Sequence, residues 1–309
     1  MNEPAITASD LAKSFRGGVI AVNGLDLTVP RGAVYGLIGR NGAGKTTTLR
    51  MLMGLLRPVR GEARVLGHDL WGAPRSIRQR VAYVSQEQQL PANKCTAELC
   101  LDLSRLHERW DFPLAGKLAK RFGIRVEAPM AALSGGDQRK VAVLLAFAAR
   151  PDVLVLDEPA AGLDPIARRQ LMEEIVEFLG EGGERTVLFS THIIEDLERV
   201  AEHVGIMDRG RMVMAGRLEE LQTGMRRVQI IFNGAAVPQG FRVPGALRCH
   251  AEGPVLTAVV RIDNEVQLET LRAIPGTRVA DFPLGLQEFF IALLDRPLTD
   301  PALPLAETN

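Results

Sequence analysis

The sequence predicts an α/β fold with a parallel-sheet core, followed by a small α+β appendage. Three observations predict it. The stretch Gly39-Arg40-Asn41-Gly42-Ala43-Gly44-Lys45-Thr46 spells G-x-x-x-x-G-K-[ST], a phosphate-binding loop. It lies between an apolar run, Ala33 to Ile38, that reads as a buried strand and a segment with Leu49, Leu52, Met53 and Leu56 at helical spacing. From 134 to 208 helical and strand patterns alternate, as in proteins that cover a parallel sheet with helices. The glycine spacing is not G-x-G-x-x-G, which disfavours a dinucleotide fold.

Taken in order, residues 5 to 30 read as short strands and turns. Leu25, Leu27 and Val29 alternate with polar residues, and Gly17-Gly18 and Pro30-Arg31-Gly32 mark turns. Glu62 to Leu66 and Val81 to Val84 read as further strands around a Gly67 turn. From about 87 to 132 the pattern turns helical, with Leu99, Leu103 and Leu106 on one face and Trp110 close behind. Val141, Leu144, Leu145 and Ala148 then line a helix, and Val153 to Leu156 is an uninterrupted apolar strand. Leu171, Ile175, Phe178 and Leu179 face inward from the next helix, Thr186 to Ser190 is a strand, and Asp208-Arg209-Gly210 reads as a hairpin turn. The pattern breaks near 222 to 226, which divides the chain into a domain of 1–224, with a helical subdomain at about 87–150, and a domain of 225–309. The second holds strands at Val228 to Phe232 and Val255 to Ile262, helical patterns at Glu265 to Ala273 and Leu286 to Leu294, and an extended proline-bearing tail after Arg296.

The 309 residues carry 37 basic and 37 acidic side chains, so the formal net charge of zero gives no general attraction to nucleic acid or acidic lipid. Cys95, Cys100 and Cys249 form no C-x-x-C pair and no metal-ligand spacing, and are expected to be reduced structural thiols. No apolar run approaches the roughly 18 residues that cross a bilayer, so a membrane role is expected to come through a partner.

The chemistry gathers at two motifs. Glycines around Asn41, Gly42, Ala43 and Gly44 let backbone N–H groups curl round a polyphosphate at a helix N-terminus. Lys45 is expected to reach β- and γ-phosphates, and Thr46 to ligate Mg²⁺. Val153-Leu154-Val155-Leu156-Asp157-Glu158 is an apolar strand ending in two acids. Asp157 fits the second metal position, and Glu158 fits the general base that polarises the attacking water. Leu133-Ser134-Gly135-Gly136-Asp137 precedes a strong helix. It offers an anion-binding helix N-terminus, and Ser134-x-x-Asp137 also spells a capping box.

With these motifs in order over residues 5 to about 222, the chain resembles an ATP-binding cassette (ABC) ATPase. The resemblance implies a P-loop NTPase cassette with a parallel-sheet core, an antiparallel β subdomain and a helical insert. Residues 39 to 46, with Thr47, match its Walker A element and 153 to 158 its Walker B element. Leu133 to Asp137 match its signature, Ala161-Gly162-Leu163-Asp164 its D-loop, Gln86 its Q-loop glutamine, and Ser190-Thr191-His192 its switch histidine. Phe15 stands where the family places an aromatic ring on adenine. The implied ligands are ATP and Mg²⁺, with Gln86 joining Thr46 and Asp157 around the metal. His192 contacts the γ-phosphate, while Ser134, Gly135, Gly136 and Asp137 face the ATP of a second cassette, with Asp164 at that contact too. Asp164 before Pro165 is also a good helix cap.

The sequence departs from the family at Asp137, where glutamine is usual. An acid near a partner-bound phosphate is electrostatically unfavourable, yet it suits its own helix dipole and can pair with Arg139 or Lys140. Two cassettes pairing head to tail, as a homodimer or a heterodimer, and a separate transmembrane permease subunit are the implied partners. The placement is at the cytosolic face of the cell membrane, and no nucleic acid is expected. Lys94 to Leu106 and Trp110 are candidates for the permease-docking surface. Trp110-Asp111, Arg121-Phe122-Gly123, the residues Ala167-Arg168-Arg169 after Pro165, and Leu286-Gln287-Glu288-Phe289-Phe290 resemble ABC-2-type exporter ATPases. Export of a drug, peptide antibiotic, lipid or glycan is therefore expected. The alternatives are a non-transport ABC ATPase acting on ribosomes, DNA or protein complexes, and an importer.

Overall fold

The computed structural model describes residues 3–87, 89–180, 184–234, 236–262 and 265–294. The chain forms two compact units, Met1–Ala215 and Gly216–Asn309. The boundary falls a few residues before the expected one, because the helix Leu218–Gly224 packs with the second unit's own strand. The expected tail after Arg296 lies outside the described residues.

The first unit opens with two long strands, β1 (Ile6–Ser14) and β2 (Ile20–Val29), where short ones are expected. The central strand β3 (Val34–Gly39) is buried along its length, and it feeds α1 (Lys45–Leu52) through the glycine-rich loop. Strand β4 (Arg60–Val65), the short helix α2 (Arg75–Arg78) and β5 (Val81–Val84) follow. The helical insert holds α3 (Thr96–Ser104) and α4 (Phe112–Arg121), and α5 (Gly135–Ala148) follows it. Then come β6 (Val153–Asp157), α6 (Pro165–Gly180), β7 (Thr186–Thr191), α7 (Ile194–Val200), β8 (His203–Asp208) and β9 (Arg211–Arg217). Strands β2, β1 and β4 make an antiparallel sheet, and the larger sheet runs β5-β6-β7-β3-β8-β9. Its inner pairs are parallel. Arg209 and Gly210 both take positive φ, 46° and 78°, as a two-residue hairpin between right-twisted strands requires.

Apolar side chains from both sheets and from α1 form one core, in which Leu37, Leu49, Val153 and Leu188 are fully buried. The helical insert departs from its expected face. Leu99 is buried, but Leu106 lies beyond α3 and is exposed. Asp111 caps α4 by accepting from the Leu114 N–H at 2.8 Å, and the Arg150 guanidinium holds the same carboxylate.

The second unit holds α8 (Leu218–Gly224), β10 (Met225–Phe232), β11 (Ala246–Glu252), β12 (Val255–Arg261), α9 (Glu265–Arg272), β13 (Thr277–Pro283) and α10 (Leu286–Leu294). Its antiparallel sheet is ordered β11-β12-β10-β13 and buries Val228, Ile230, Leu256, Ala258 and Val260 on one face. Strands β11 and β13 are not legible in the sequence. Each carries mostly exposed or half-exposed residues, so neither presents a strong alternation.

Candidate active site

Register assembles the site. In the sheet order β6-β7-β3, Asp157 pairs with Ser190 and Ile38 with Thr191. The C-terminal ends of β3, β7 and β6 therefore lie side by side, about 4.8 Å apart per strand. Val84 at the end of β5 pairs with Leu156, which sets Gln86 on the same edge. Ligands of open parallel sheets bind along this edge, where the strand order reverses.

The loop after β3 has the backbone its glycines permit. Gly44 has φ 102°, and a Cβ there would come within 2.3 Å of the Ala21 carbonyl, so only glycine fits. The loop is pinned by the Ala43 N–H donating to the Arg40 carbonyl at 3.0 Å and by the Gly210 N–H donating to the Ala43 carbonyl at 2.9 Å. Asn41 and Gly42 are exposed on its outer side, and Thr47 continues the first turn of α1.

Lys45 is 6% exposed; its Nζ donates to the Gly39 carbonyl at 2.7 Å and lies 3.2 Å from Glu158 Oε1. Glu158 Oε2 lies 2.8 Å from His192 Nδ1, so the expected base sits between the expected phosphate-binding lysine and the expected switch histidine. The Glu158 backbone has φ 49°, a left-handed conformation that costs a non-glycine residue about 1 kcal/mol. Its N–H donates to Ser190 Oγ at 2.9 Å.

Asp157 is fully buried. Ser190 Oγ donates to its Oδ1 at 2.6 Å, Tyr83 donates to its Oδ2 at 3.3 Å, and Thr46 Oγ1 lies 3.2 Å from Oδ1. These neighbours are hydroxyls rather than ammonium or guanidinium groups, which leaves the carboxylate charge available to a cation. Thr46 Oγ1 is also 3.4 Å from Gln86 Oε1, so the three expected metal-binding residues converge. Burial, and next the Asp157 charge, push the Tyr83 hydroxyl above its ordinary pKa and keep it a donor.

The signature segment is built differently. Ser134 is exposed and caps α5, accepting from the Asp137 N–H at 3.1 Å, while its own hydroxyl donates to Asp137 Oδ2 at 2.7 Å. That hydroxyl, with Lys140 Nζ at 3.3 Å, holds the Asp137 carboxyl below its usual range. Asp137 pairs with Lys140; Arg139 points the other way, to the carbonyls of Glu158 and Gln86. Asp164 accepts from the N–H groups of Ile166 and Ala167, both at 2.9 Å, and so caps α6. Gly135 is exposed, and Gly136 passes close to the Gly162 carbonyl of the D-loop.

Phe15 stands just past β1, 45% exposed, with Lys13 Nζ 5.8 Å from its ring centre. Of the expected docking residues, Leu101 and Leu106 are exposed, whereas Leu99 is buried and Trp110 stacks edge-on against Phe112 within the insert. Sequence reasoning overlooks Tyr83; it offers Arg139 or Lys140 as the partner of Asp137, and the structure selects Lys140. The signal for Tyr83 is its position in the strand directly before Gln86; none in the sequence aims Arg139.

A phosphate-binding loop on the central strand, and a buried Asp-Glu pair two strands away, define a P-loop nucleoside triphosphatase. The sequence profile of the ABC transporter family matches residues 22–161. The chain is 33% identical to the Nod factor export ATP-binding protein I of Ralstonia nicotianae over 96% of both chains. It is 33% identical to the daunorubicin/doxorubicin resistance ATP-binding protein DrrA of Streptomyces peucetius, over 96% of this chain and 94% of that one. A solved ATP-binding subunit of an ABC transporter superposes with a TM-score of 0.63 at 28% identity, covering 71% of this chain and 92% of that one. The chain belongs to the ABC transporter family, as an ATP-hydrolysing, nucleotide-binding subunit of the exporter type.

Proposed function

We propose that this chain powers an ABC-2-type exporter by closing and reopening a head-to-tail pair of cassettes at the cytosolic face of the cell membrane, joined to a separate permease subunit. The observation that carries the reading is Glu158, buried at the strand end with Lys45 on one oxygen and His192 on the other. The loop N–H groups and Lys45 bind the β- and γ-phosphates of ATP. Lys45 exchanges Glu158 for a γ-phosphate oxygen, and Glu158 then accepts the proton of the attacking water. His192 holds the far oxygen of Glu158 and contacts the γ-phosphate. Phe15 stacks on the adenine.

Thr46, Asp157 and Gln86 offer three hard oxygens, only one of them charged. That set suits Mg²⁺, which takes one or two carboxylates and completes its shell with phosphate and water. The metal would neutralise charge developing on the transferred phosphoryl group. Ser134, Gly135 and Gly136 of each cassette face the other cassette's ATP, with Asp164 alongside. Among the described residues no helix is long and apolar enough to cross a membrane, so the cargo path belongs to the permease. Two relatives of equal identity are named for different cargoes, which fits a motor that does not itself select cargo.

The test is a pull-down of Glu158→Gln with ATP from detergent-solubilised membranes. Recovery of a polytopic membrane protein supports the reading; recovery of ribosomal or DNA-associated proteins without one overturns it.

A further inference from the structure

Arg139 is a half-buried cation that the catalytic roles above leave unused. It lies one turn into α5, the helix that begins at the signature. One guanidinium nitrogen donates to the Glu158 carbonyl at 2.8 Å and the other to the Gln86 carbonyl at 2.6 Å. Burial draws the guanidinium below its ordinary pKa, with the charges of Asp157 and Glu158 opposing that shift. The Glu158 carbonyl accepts from Ala161 N–H as well, at 3.1 Å. The left-handed Glu158 residue is therefore held at both ends, its N–H by Ser190 and its carbonyl by Arg139. A backbone in this region persists only where its surroundings over-determine it.

We propose that Arg139 is a positioning residue for hydrolysis, fixing the backbones of Glu158 and Gln86 in one frame anchored to the signature helix. The proposal rests on Glu158 being the base. The planar fork of arginine gives each carbonyl its own nitrogen at fixed spacing, whereas a lysine ammonium brings one nitrogen on a flexible stem and fixes the two carbonyls less rigidly. A shift of α5 on engaging a second cassette would then move the base and the Q-loop glutamine together. In that way occupancy at the signature would set the geometry of hydrolysis in its own chain.

The experiment compares the full-length chain with Arg139→Met and Arg139→Lys, and with Glu158→Gln alongside. A misplaced reacting group costs up to about 100-fold, so Arg139→Met is expected to lower kcat by about ten- to 100-fold with KM for ATP within about twofold. Arg139→Lys should recover part of that loss. Without nucleotide, amide exchange at Glu158 and Ala161 in Arg139→Met should quicken by about tenfold, while amides near Leu144 stay unchanged. Unchanged exchange, or quickened exchange with kcat within about twofold of wild type, overturns the proposal. If Arg139→Met does not fold, Arg139→Lys decides by the same criteria, since it keeps stem and charge. A Glu158→Gln variant that still hydrolyses ATP refutes the base assignment instead, and the exchange data still report on the clamp.

Discussion

The two halves of the candidate site are built to opposite plans. On the Walker side, Lys45 and Glu158 are each 6% exposed at the side chain, Asp157 is fully buried, and their partners come from strands β3, β5 and β7 of one sheet, from the residues that follow β6 and β7, and from α1. On the signature side, Ser134 and Gly135 are exposed and the Asp164 side chain is 57% exposed, and the Ser134 hydroxyl bonds to Asp137 inside its own capping turn. The buried half is pre-organised by one chain's packing. The exposed half is an open helix N-terminus, which the proposed function assigns to the ATP of a second cassette. In chemical terms, one half is a cluster of charges held at low dielectric, and the other is a solvent-facing helix start, the surface proposed above to meet a second cassette.

The comparison breaks first at Glu158. Glu158→Gln is expected to lower hydrolysis by about 10²- to 10⁴-fold, the usual worth of a general base. Gel filtration with ATP should show an accumulated dimer, and turnover within about tenfold of wild type would falsify the buried-base assignment. Next is Lys45→Ala, which removes charge-assisted hydrogen bonds worth about 1.5–3 kcal/mol. ATP affinity, read by fluorescent-nucleotide titration, should fall by about ten- to 100-fold. The same variant leaves Glu158 with one partner fewer, so some loss of melting temperature is expected too.

Changes on the signature side should leave ATP binding by the single chain untouched and appear in pairing. Asp137→Gln removes a negative charge from the expected phosphate-facing turn and keeps a good capping-box residue. Hydrolysis is expected to hold or to rise severalfold at unchanged single-chain affinity; a large loss would show that the acid has its own function. Asp137 also gives a pH sign. Its folded pKa is depressed, foremost by the Ser134 hydroxyl. Its contribution to stability is therefore complete above about pH 4 and is lost as pH falls through the folded value. Asp137→Gln should flatten the acid limb of a pH-dependent unfolding curve slightly, because the side chain is 36% exposed. Ser134→Ala is expected to weaken ATP-driven pairing, read by gel filtration, and within the single chain to have only a small effect. Loss of this cap is expected to cost about 1 kcal/mol, or a few degrees in a thermal melt, with the nucleotide titration unchanged.

The first unit was far more legible than the second. Fully buried parallel strands such as Val153–Asp157 write themselves as apolar runs, and helices such as Pro165–Gly180 repeat their apolar face over several turns. Strands β11 and β13 are largely exposed, so their register comes from pairing with β12 and β10 rather than from pattern. Within the site, the loop, the acidic strand end and the capped signature are local motifs. Their residues lie within a few positions of one another, and short-range backbone chemistry is enough to read them.

By itself the sequence determined the α/β class, the phosphate loop, the Asp157-Glu158 pair and the cap at Ser134. Each follows from periodicity or from residue types at fixed short spacing. Only the tertiary structure decided that Tyr83 and Ser190 surround Asp157, that His192 takes the second oxygen of Glu158, and that Arg139 turns away from Asp137 to the carbonyls of Glu158 and Gln86. Those contacts join residues up to 74 positions apart, and strand order and register bring them together. The physical reason is that parallel pairing aligns strand ends from distant parts of the chain, and no local pattern encodes which ends become neighbours.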